Sequence, residues 1–503
     1  MNQRKIGTIL SYIQNLLHIV ISFLYVPLLL GGIGKSEYGL YQLVGSVVAY
    51  ISIMESLLSS GVLRFYCKYK ALNDKLMMEN TLAVSKKIYN IFSMLVLIIG
   101  IICSFVFRNV YAGALTNKEL VETQLMLFVL ILNIIVNLKS YVYTAAITAH
   151  EEFIFLKILT IFSIIVQPLV ILLVIKQWPY AITIVIIQTV INFILAILKI
   201  LFFKRKLQLN IILHKEDKEF IKQLLVFSAG IFLAALADQI FWKADQLILG
   251  KLYGTSVVAV YAIGAQIYSN YMPLGTSITS VFMPKISQLY NEVDGINLIS
   301  DLFIRTGRLV FFLTSLVLTG FCLYGKTFIC LWAGEDYIEA FYVAIIVMIP
   351  FTIDLIQNLG LVILQVTNKY SFRGKMYFII AIINIFSTVI LARYYGMKGA
   401  AFSTAISMLL GNGLMMNWYY SKKVGLNIKK FWKEIIKIFP TVIIAFCLGK
   451  LLEIMKLCNI YLDFGLHVVI YIIIFGTLMY LFAFNDYEKN LIKSFLIKMD
   501  RKK

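Results

Sequence analysis

"LLLGGIGKSEYGLYQLVGS" at residues 28–46 and "LILGKLYGTSVVAVYAIGA" at residues 247–265 share one pattern, in which a short turn joins two apolar runs. An offset of 220 residues (from 34 to 254) pairs Gly34 with Gly254, Ser36 with Ser256 and Tyr41 with Tyr261. We expect glycine to adopt a positive φ in each turn, and serine to cap the helix that follows it. Two copies of one turn predict an internal repeat.

The composition places the chain in a lipid bilayer. It is 60% hydrophobic and 14% charged, with a mean hydropathy of +0.86, which lies outside the range of soluble domains. A hydrocarbon core about 30 Å thick needs roughly 20 apolar residues per helix. Fourteen such stretches lie at 8–30, 38–61, 88–107, 123–148, 154–175, 179–203, 223–249, 256–282, 309–332, 338–366, 372–395, 399–420, 436–456 and 460–484. We therefore predict an all-α polytopic membrane protein without a sizeable soluble domain.

Lysine and arginine are concentrated in alternate loops, so the net charge of +20 carries topological information. The rich segments are the start of the chain, 64–87, 204–222, 283–308, 369–375, 422–437 and the tail after Asn485. The positive-inside rule puts these segments in the cytoplasm, and an even number of spans puts both termini there. The first apolar run has no small-residue cleavage site, so we expect it to remain as span 1. Charge distributed in this way does not indicate nucleic acid binding.

The offset of 220 residues, which was chosen from the two turns, also relates polar residues elsewhere in the chain. A narrow polar stripe follows helical spacing in span 1, and its members are Ser11, Gln14, His18, Ser22 and Tyr25. The offset carries His18 to Asp238, Ser22 to Trp242 and Tyr25 to Asp245, all in span 7. Both copies begin on the cytoplasmic side, which predicts a parallel repeat about an axis along the membrane normal. We expect spans 1 and 7 to face a shared cleft.

The repeat divides the chain into three parts. Spans 1–6 are predicted to form an N-terminal six-helix bundle over residues 1–215, and spans 7–12 a C-terminal six-helix bundle over 216–425. Spans 13 and 14, with a basic cytoplasmic tail, are appended over 426–503.

Three stretches resemble the polysaccharide transporters, which include the O-antigen and capsule repeat-unit flippases. They are "YGLYQL" at 38–43, "ADQLILGKLYG" at 244–254 and "YYGMKGAAFSTAIS" at 394–407. The same superfamily holds multidrug extruders and lipid II flippases, and fourteen spans suit the polysaccharide and lipid II flippases better. Span 6 departs from the pattern because it lacks the small residues of span 12.

The resemblance implies alternating access by two six-helix bundles in the bacterial cytoplasmic (inner) membrane. The implied substrate is an undecaprenyl-diphosphate-linked oligosaccharide, moved from the cytoplasmic to the outer leaflet. The implied partners are this lipid-linked oligosaccharide, the membrane lipids and other polysaccharide-assembly proteins. No cofactor is expected, and a proton or a sodium ion is the candidate for coupling.

Span 7 carries the first group of candidate cavity residues, which are Asp238, Trp242, Lys243 and Asp245. On a helical wheel they share one arc, opposite Leu236 and Leu247. Each charge in mid-span costs roughly 2.5–3.5 kcal/mol on insertion scales, so this arc should line a wet cavity. Two interpretations of Lys243 remain open: its stem reaches the outer interface, or its ammonium binds the substrate diphosphate.

Other polar residues extend the set of candidates. His18, Ser22 and Tyr25 belong to the span 1 stripe, and Lys139 in span 4 either pairs across helices or faces the cleft. Asp354 shares a polar stripe with Asn358 and Gln365, for which interhelical hydrogen bonding is the alternative. Glu55 and His18 are proton or sodium site candidates or packing residues, and Arg64 either anchors span 2 at the inner side or faces the cavity.

The leading functional prediction is a flippase for lipid-linked repeat units. A cation-coupled multidrug extruder and a lipid II-type flippase are the alternatives. An enzyme is not expected, because the outer loops are short and the most acidic of them, "GEDYIE" at 334–339, has no basic or histidine partner nearby. The cysteines lack metal-ligand spacing.

Overall fold

The computed structural model describes residues 3–214, 218–454 and 459–490, and these residues are mainly helical and free of strands. The predicted basic tail lies mostly beyond residue 490, outside this range. In chain order the α-helices are α1 Gln3–Ala71, α2 Lys75–Tyr111, α3 Asn117–Ala149, α4 Phe153–Val174, α5 Ala181–Phe202, α6 Lys218–Tyr253, α7 Thr255–Tyr271, α8 Pro273–Thr279, α9 Met283–Tyr290, α10 Gly295–Trp332, α11 Ala340–Ile356, α12 Leu359–Val366, α13 Tyr370–Met408, α14 Met416–Tyr419, α15 Ile428–Ile436, α16 Phe439–Leu452 and α17 Ile460–Leu478. The all-α membrane fold is confirmed.

Glycines with a positive φ explain how the helices relate to the predicted spans. Gly34 (φ 81°) divides α1 into 3–33 and 35–71, and Gly396 (φ 60°) divides α13 in the same way. Gly254 (φ 78°) separates α6 from α7. The positive φ predicted at Gly34 and Gly254 is therefore confirmed. Within the described residues, each of the fourteen predicted spans falls mainly on helical segments, and the last two residues of predicted span 13 lie outside that range.

Fewer than fourteen separate helices are both long enough and apolar enough to cross a membrane. Within the described part of the chain, nine helices are long and apolar enough to cross a membrane, or ten when the bent pair α11 and α12 (43°) is one span. The number is smaller because α1 and α13 each contain two predicted spans and because α6 is not among these helices. In addition, α7 has only 17 residues before it meets α8.

The chain divides into two compact units, Met1–Ala259 and Val260–Lys503. In unit 1, α1 packs against α2, α3, α4 and α6, and α3 packs against α5. In unit 2, α10 packs against α11, α15, α16 and α17, and α11 packs against α13. Helix α6, which begins the predicted second bundle, thus packs within unit 1.

Unit 2 contains a buried ion pair near the end of the described chain. Arg308 on α10 and Glu488 after α17 are 4% and 3% exposed. Arg308 donates from Nε to Glu488 Oε1 (2.7 Å) and from Nη2 to Glu488 Oε2 (2.9 Å). It also donates to the carbonyl oxygens of Glu434 (3.0 Å) and Ala483 (2.8 Å). This one guanidinium therefore ties α15 and the segment after α17 to α10.

Candidate functional site

The two repeated turns, at Gly34 and Gly254, are predicted to lie on the outer side of the membrane. These outer turns meet within unit 1 at one carboxylate. The Ser36 hydroxyl donates to Glu119 Oε1 (2.9 Å), and the Thr255 hydroxyl donates to the same oxygen (3.0 Å). Glu119 Oε2 accepts from the backbone N–H (2.9 Å) and the hydroxyl (2.8 Å) of Thr116, the N-cap of α3. Ser36, which we expected to cap the next helix, instead joins this cluster because Glu119 lies beside it.

Close backbone approach brings α1 to the second turn. A Cβ atom at Gly39 would overlap the carbonyl oxygen of Thr255, and one at Gly250 would meet the side chain of Leu43. Further along the same two helices, the Ser46 hydroxyl of α1 donates to Gln246 Oε1 of α6 (2.5 Å). The sequence contains these glycines, but the contact needs residues more than 200 positions apart, so no local pattern predicts it.

The candidates on the two polar stripes differ in exposure. His18 on α1 and Asp238 on α6 are exposed. Three others are half-buried, namely Ser22, Tyr25 and Trp242. Asp245 is only 3% exposed, so it lies inside unit 1 and not on an open face. The shared cleft of spans 1 and 7 stays a prediction.

Lys243 and Lys139 are the cationic candidates of unit 1. Lys243 on α6 is half-buried and Lys139 on α3 is exposed, and neither forms an ion pair within the residues that the structure describes. Arg64, on the second half of α1, is exposed. Of these three, Lys243 combines burial with an uncompensated charge.

Glu55 is the last member of a polar network that was not predicted from the sequence. Its Oε1 atom accepts from Asn137 (3.4 Å), and Asn137 in turn donates to Asn133 (3.1 Å). Asn192 on α5 also donates to Asn133 (3.1 Å), and the charge of Lys199 on α5 acts on Glu55. The spacing of four between Asn133 and Asn137 puts both on one helical face, which was the available signal.

Asp354 has a basic neighbour that the sequence did not reveal. Arg373 on α13 interacts electrostatically with Asp354 on α11. Arg373 Nη1 also donates to the Tyr370 hydroxyl (3.1 Å), and its guanidinium lies 5.5 Å from the ring centroid of Tyr377. Asn358, which we placed in the same stripe, accepts from Thr279 (2.6 Å). Interhelical hydrogen bonding is thus observed at Asn358.

The "YYGMKGAAFSTAIS" stretch has a structural role within α13. After the turn at Gly396, the Ser403 hydroxyl donates to Asn384 Oδ1 (2.9 Å), and the Ser407 hydroxyl approaches the same oxygen (3.4 Å). These bonds join the two halves of α13 across the turn. In the described residues, no three His, Cys, Asp or Glu side chains are arranged to hold a metal ion.

Solved structures with the same fold are membrane transporters. Lipid II flippase MurJ, in an inward closed conformation, matches with a TM-score of 0.72 and 14% identity over 97% of this chain and 99% of that one. An inward-facing MATE family multidrug resistance transporter of the MOP superfamily matches with a TM-score of 0.62 and 12% identity, over 83% and 95%. At these identities the likeness concerns the fold.

Sequence relatives give the family. The probable flippase AglR of Haloferax volcanii is 28% identical over 174 residues, which are 33% of this chain and 36% of the relative. The chain thus spans about a third of the length of this curated relative. The family pattern described as polysaccharide biosynthesis protein matches residues 33–342, more than half of the chain and both outer turns. The resemblance inferred from those turns is confirmed, and the chain belongs to the polysaccharide biosynthesis protein family.

Proposed function

We propose that this protein is a flippase for undecaprenyl-diphosphate-linked oligosaccharide repeat units, acting by alternating access in the bacterial cytoplasmic membrane. Both termini lie in the cytoplasm in this scheme, and the protein performs no covalent chemistry. The family and the fold shared with flippases and extruders support transport. The substrate class rests on a separate observation, which is the balance of charge among the candidate residues of the predicted spans.

Two acidic candidates, Asp354 and Glu55, interact with a basic residue, whereas two basic candidates lack an acidic partner. Asp354 interacts electrostatically with Arg373, and Glu55 with Lys199. Lys243 and Lys139 form no ion pair within 3–214, 218–454 and 459–490. A carrier of cations needs uncompensated acids, while a carrier of a diphosphate needs uncompensated bases. The arrangement therefore favours an anionic substrate over a cationic drug.

Lys243 is the residue on which the proposal depends most. Lys243 is half-buried on α6, where partial exclusion of water strengthens attraction between its ammonium and a phosphate oxygen. The alternative is that Lys243 reaches the outer interface and only anchors the helix. The two roles differ in what they require, because binding needs the charge and anchoring does not.

The test is complementation of a surface-glycan defect in a host that lacks its own flippase. Lys243→Arg should retain most transport, Lys243→Ala should lose it, and Lys243→Glu should be worst because it repels the diphosphate. Lys176→Ala, which removes an exposed lysine, is the matched control and should be silent. Wild-type glycan levels with Lys243→Ala, at equal membrane expression, would make Lys243 an anchor.

The two alternatives can be separated in the same strains. A lipid II-type flippase also moves a diphosphate-linked lipid, so it should rescue a host depleted of its lipid II flippase. A multidrug extruder should drive uptake of a fluorescent cationic dye into everted vesicles. For coupling we propose a proton or a sodium ion, with Glu55 as the candidate site, and collapse of each gradient in turn distinguishes the two ions.

A further inference from the structure

A cavity of about 480 Å³ opens in unit 1 where α2, α3 and the segment after α5 meet. Its polar lining consists of Lys86 on α2, Tyr143 on α3, and Lys204, Gln208 and Asn210 on the segment. Lys86 precedes predicted span 3 by two residues and Lys204 follows predicted span 6 directly. The cavity therefore lies at the level expected for the headgroups of the inner leaflet.

The cavity is basic and its charge is uncompensated. Both lysines are exposed, neither forms an ion pair among the residues placed by the structure, and no aspartate or glutamate contributes to the lining. By contrast, the neighbouring Lys206 donates to Glu152 (2.7 Å). Two like charges held in one concavity repel each other, and an anion between them relieves that repulsion.

The walls of the cavity are held in place by contacts on both sides. Phe203 is 2% exposed and packs edge-on against Tyr143, with ring centroids 5.1 Å apart. A π-helical turn over Phe203–Leu207 ends at Gln208 in the left-handed conformation (φ 49°), which directs the chain back along α2. His214 fixes the far end of the segment, because its Nε2 atom lies 2.8 Å from Glu79 Oε2 and its N–H donates to Asn80 (3.1 Å).

We propose that this cavity binds the phosphate group of an anionic phospholipid, separately from the transported substrate. Two ammonium groups, two side-chain amides and a phenol supply hydrogen-bond donors without an opposing carboxylate, which suits phosphate oxygens. A second cavity of about 220 Å³ lies along the same α2 and the same segment, lined by apolar side chains that include Ile88, Phe92 and Leu213. It can receive an acyl chain, which favours a lipid over free phosphate.

The experiment measures lipid binding to the full-length protein in detergent by native mass spectrometry. Phosphatidylglycerol and phosphatidylcholine are titrated against the wild type, Lys86→Gln/Lys204→Gln and Lys86→Arg/Lys204→Arg. Loss of both lysines should weaken phosphatidylglycerol binding roughly thirtyfold, from about fivefold per charge near a membrane surface. The arginine pair should retain binding, and phosphatidylcholine should bind weakly throughout.

The control variant is Lys422→Gln/Lys423→Gln, which removes two exposed lysines from unit 2 and should leave the high-affinity site unchanged. Equal weakening by this control, or wild-type binding by Lys86→Gln/Lys204→Gln, would overturn the proposal. Millimolar inorganic phosphate should not displace the bound lipid. If it does, the site takes soluble phosphate and the assignment to a lipid is wrong.

Discussion

Replacing Arg308 by methionine should release the segment that follows α17. Arg308 directs its hydrogen bonds to Glu488, Glu434 and the Ala483 carbonyl oxygen. Methionine removes all of them and leaves the Glu488 carboxylate, 3% exposed, without its counter-charge. Breaking a buried ion pair by removing one partner costs about 3–5 kcal/mol. Most of that cost falls on the contacts that hold 485–490 against α10.

Amide hydrogen exchange in residues 485–490 measures this loss of stability. If local opening exposes the amides of 485–490, a loss of about 3–5 kcal/mol raises their exchange rates about a hundredfold to several thousandfold, since every 1.4 kcal/mol is a factor of ten. Amides in the middle of α10 should change far less. The matched control is Lys429→Met, which removes an exposed cation from α15 and should leave exchange in 485–490 unchanged.

A double-mutant cycle separates charge from packing. In Arg308→Met/Glu488→Gln the glutamine is neutral and can still accept from the Asn485 N–H, which is 2.9 Å from Glu488 Oε2 in the native protein. The double variant should therefore exchange more slowly than Arg308→Met alone. If the two substitutions are additive, the buried charge is not what the pair neutralises and the reasoning fails.

Three further predictions concern topology, the outer turns and pH. Reporter fusions after Lys35 and Lys251 should report outside and those after Asp74 and Lys423 inside, and two successive loops on one side would refute both the span count and the repeat. Glu119→Ala removes the acceptor shared by both turns and an N-cap contact of α3. It should cost about 1–2 kcal/mol and speed amide exchange at 117–120, whereas the control Glu335→Ala should not. Unchanged exchange in Glu119→Ala would contradict this role. The Arg4 side chain donates to Glu151 (2.9 Å), and this bond holds the pKa of the Glu151 carboxyl below its ordinary value. Because the folded pKa is lowered, this contact stabilises the region above the unfolded pKa and is lost as pH falls. Amide protection factors near Glu151, which correct for slower intrinsic exchange in acid, should therefore fall in acid; protection equal to that of Glu151→Gln at neutral pH would contradict this prediction.

The sequence predicted what depends on local chemistry. Apolar length gave the spans, and the need for a left-handed residue placed the turns at Gly34 and Gly254. Both signals lie within a few residues of the structure they specify. The stretch around Gly396 was predicted only in part. Its small residues support the family resemblance, but the bonds of Ser403 and Ser407 to Asn384 could not be predicted from the sequence.

Pairing between distant residues could not be predicted in the same way. Arg308 is one residue before predicted span 9, so a local pattern treats it as an inner-side anchor, although it is buried against Glu488. Arg373 lies in a basic segment that predicts only topology, although it interacts electrostatically with Asp354. Helical periodicity fixes the face of the helix on which a side chain lies. Its partner on the next helix depends on how the helices pack, which cannot be read from a single sequence.

The outer turns show how the repeat bears on movement. Gly34 and Gly254 let the chain reverse without a long loop, so α1 and the pair α6 and α7 each change direction at a single residue. The carboxylate of Glu119 then bonds to both turns through Ser36 and Thr255. A hydrogen bond at a partly exposed site contributes roughly 0.5–1.5 kcal/mol net. If the proposed alternating access separates the two turns at this end of unit 1, it must break at least one of these bonds, and Glu119 then contributes to the barrier to that separation.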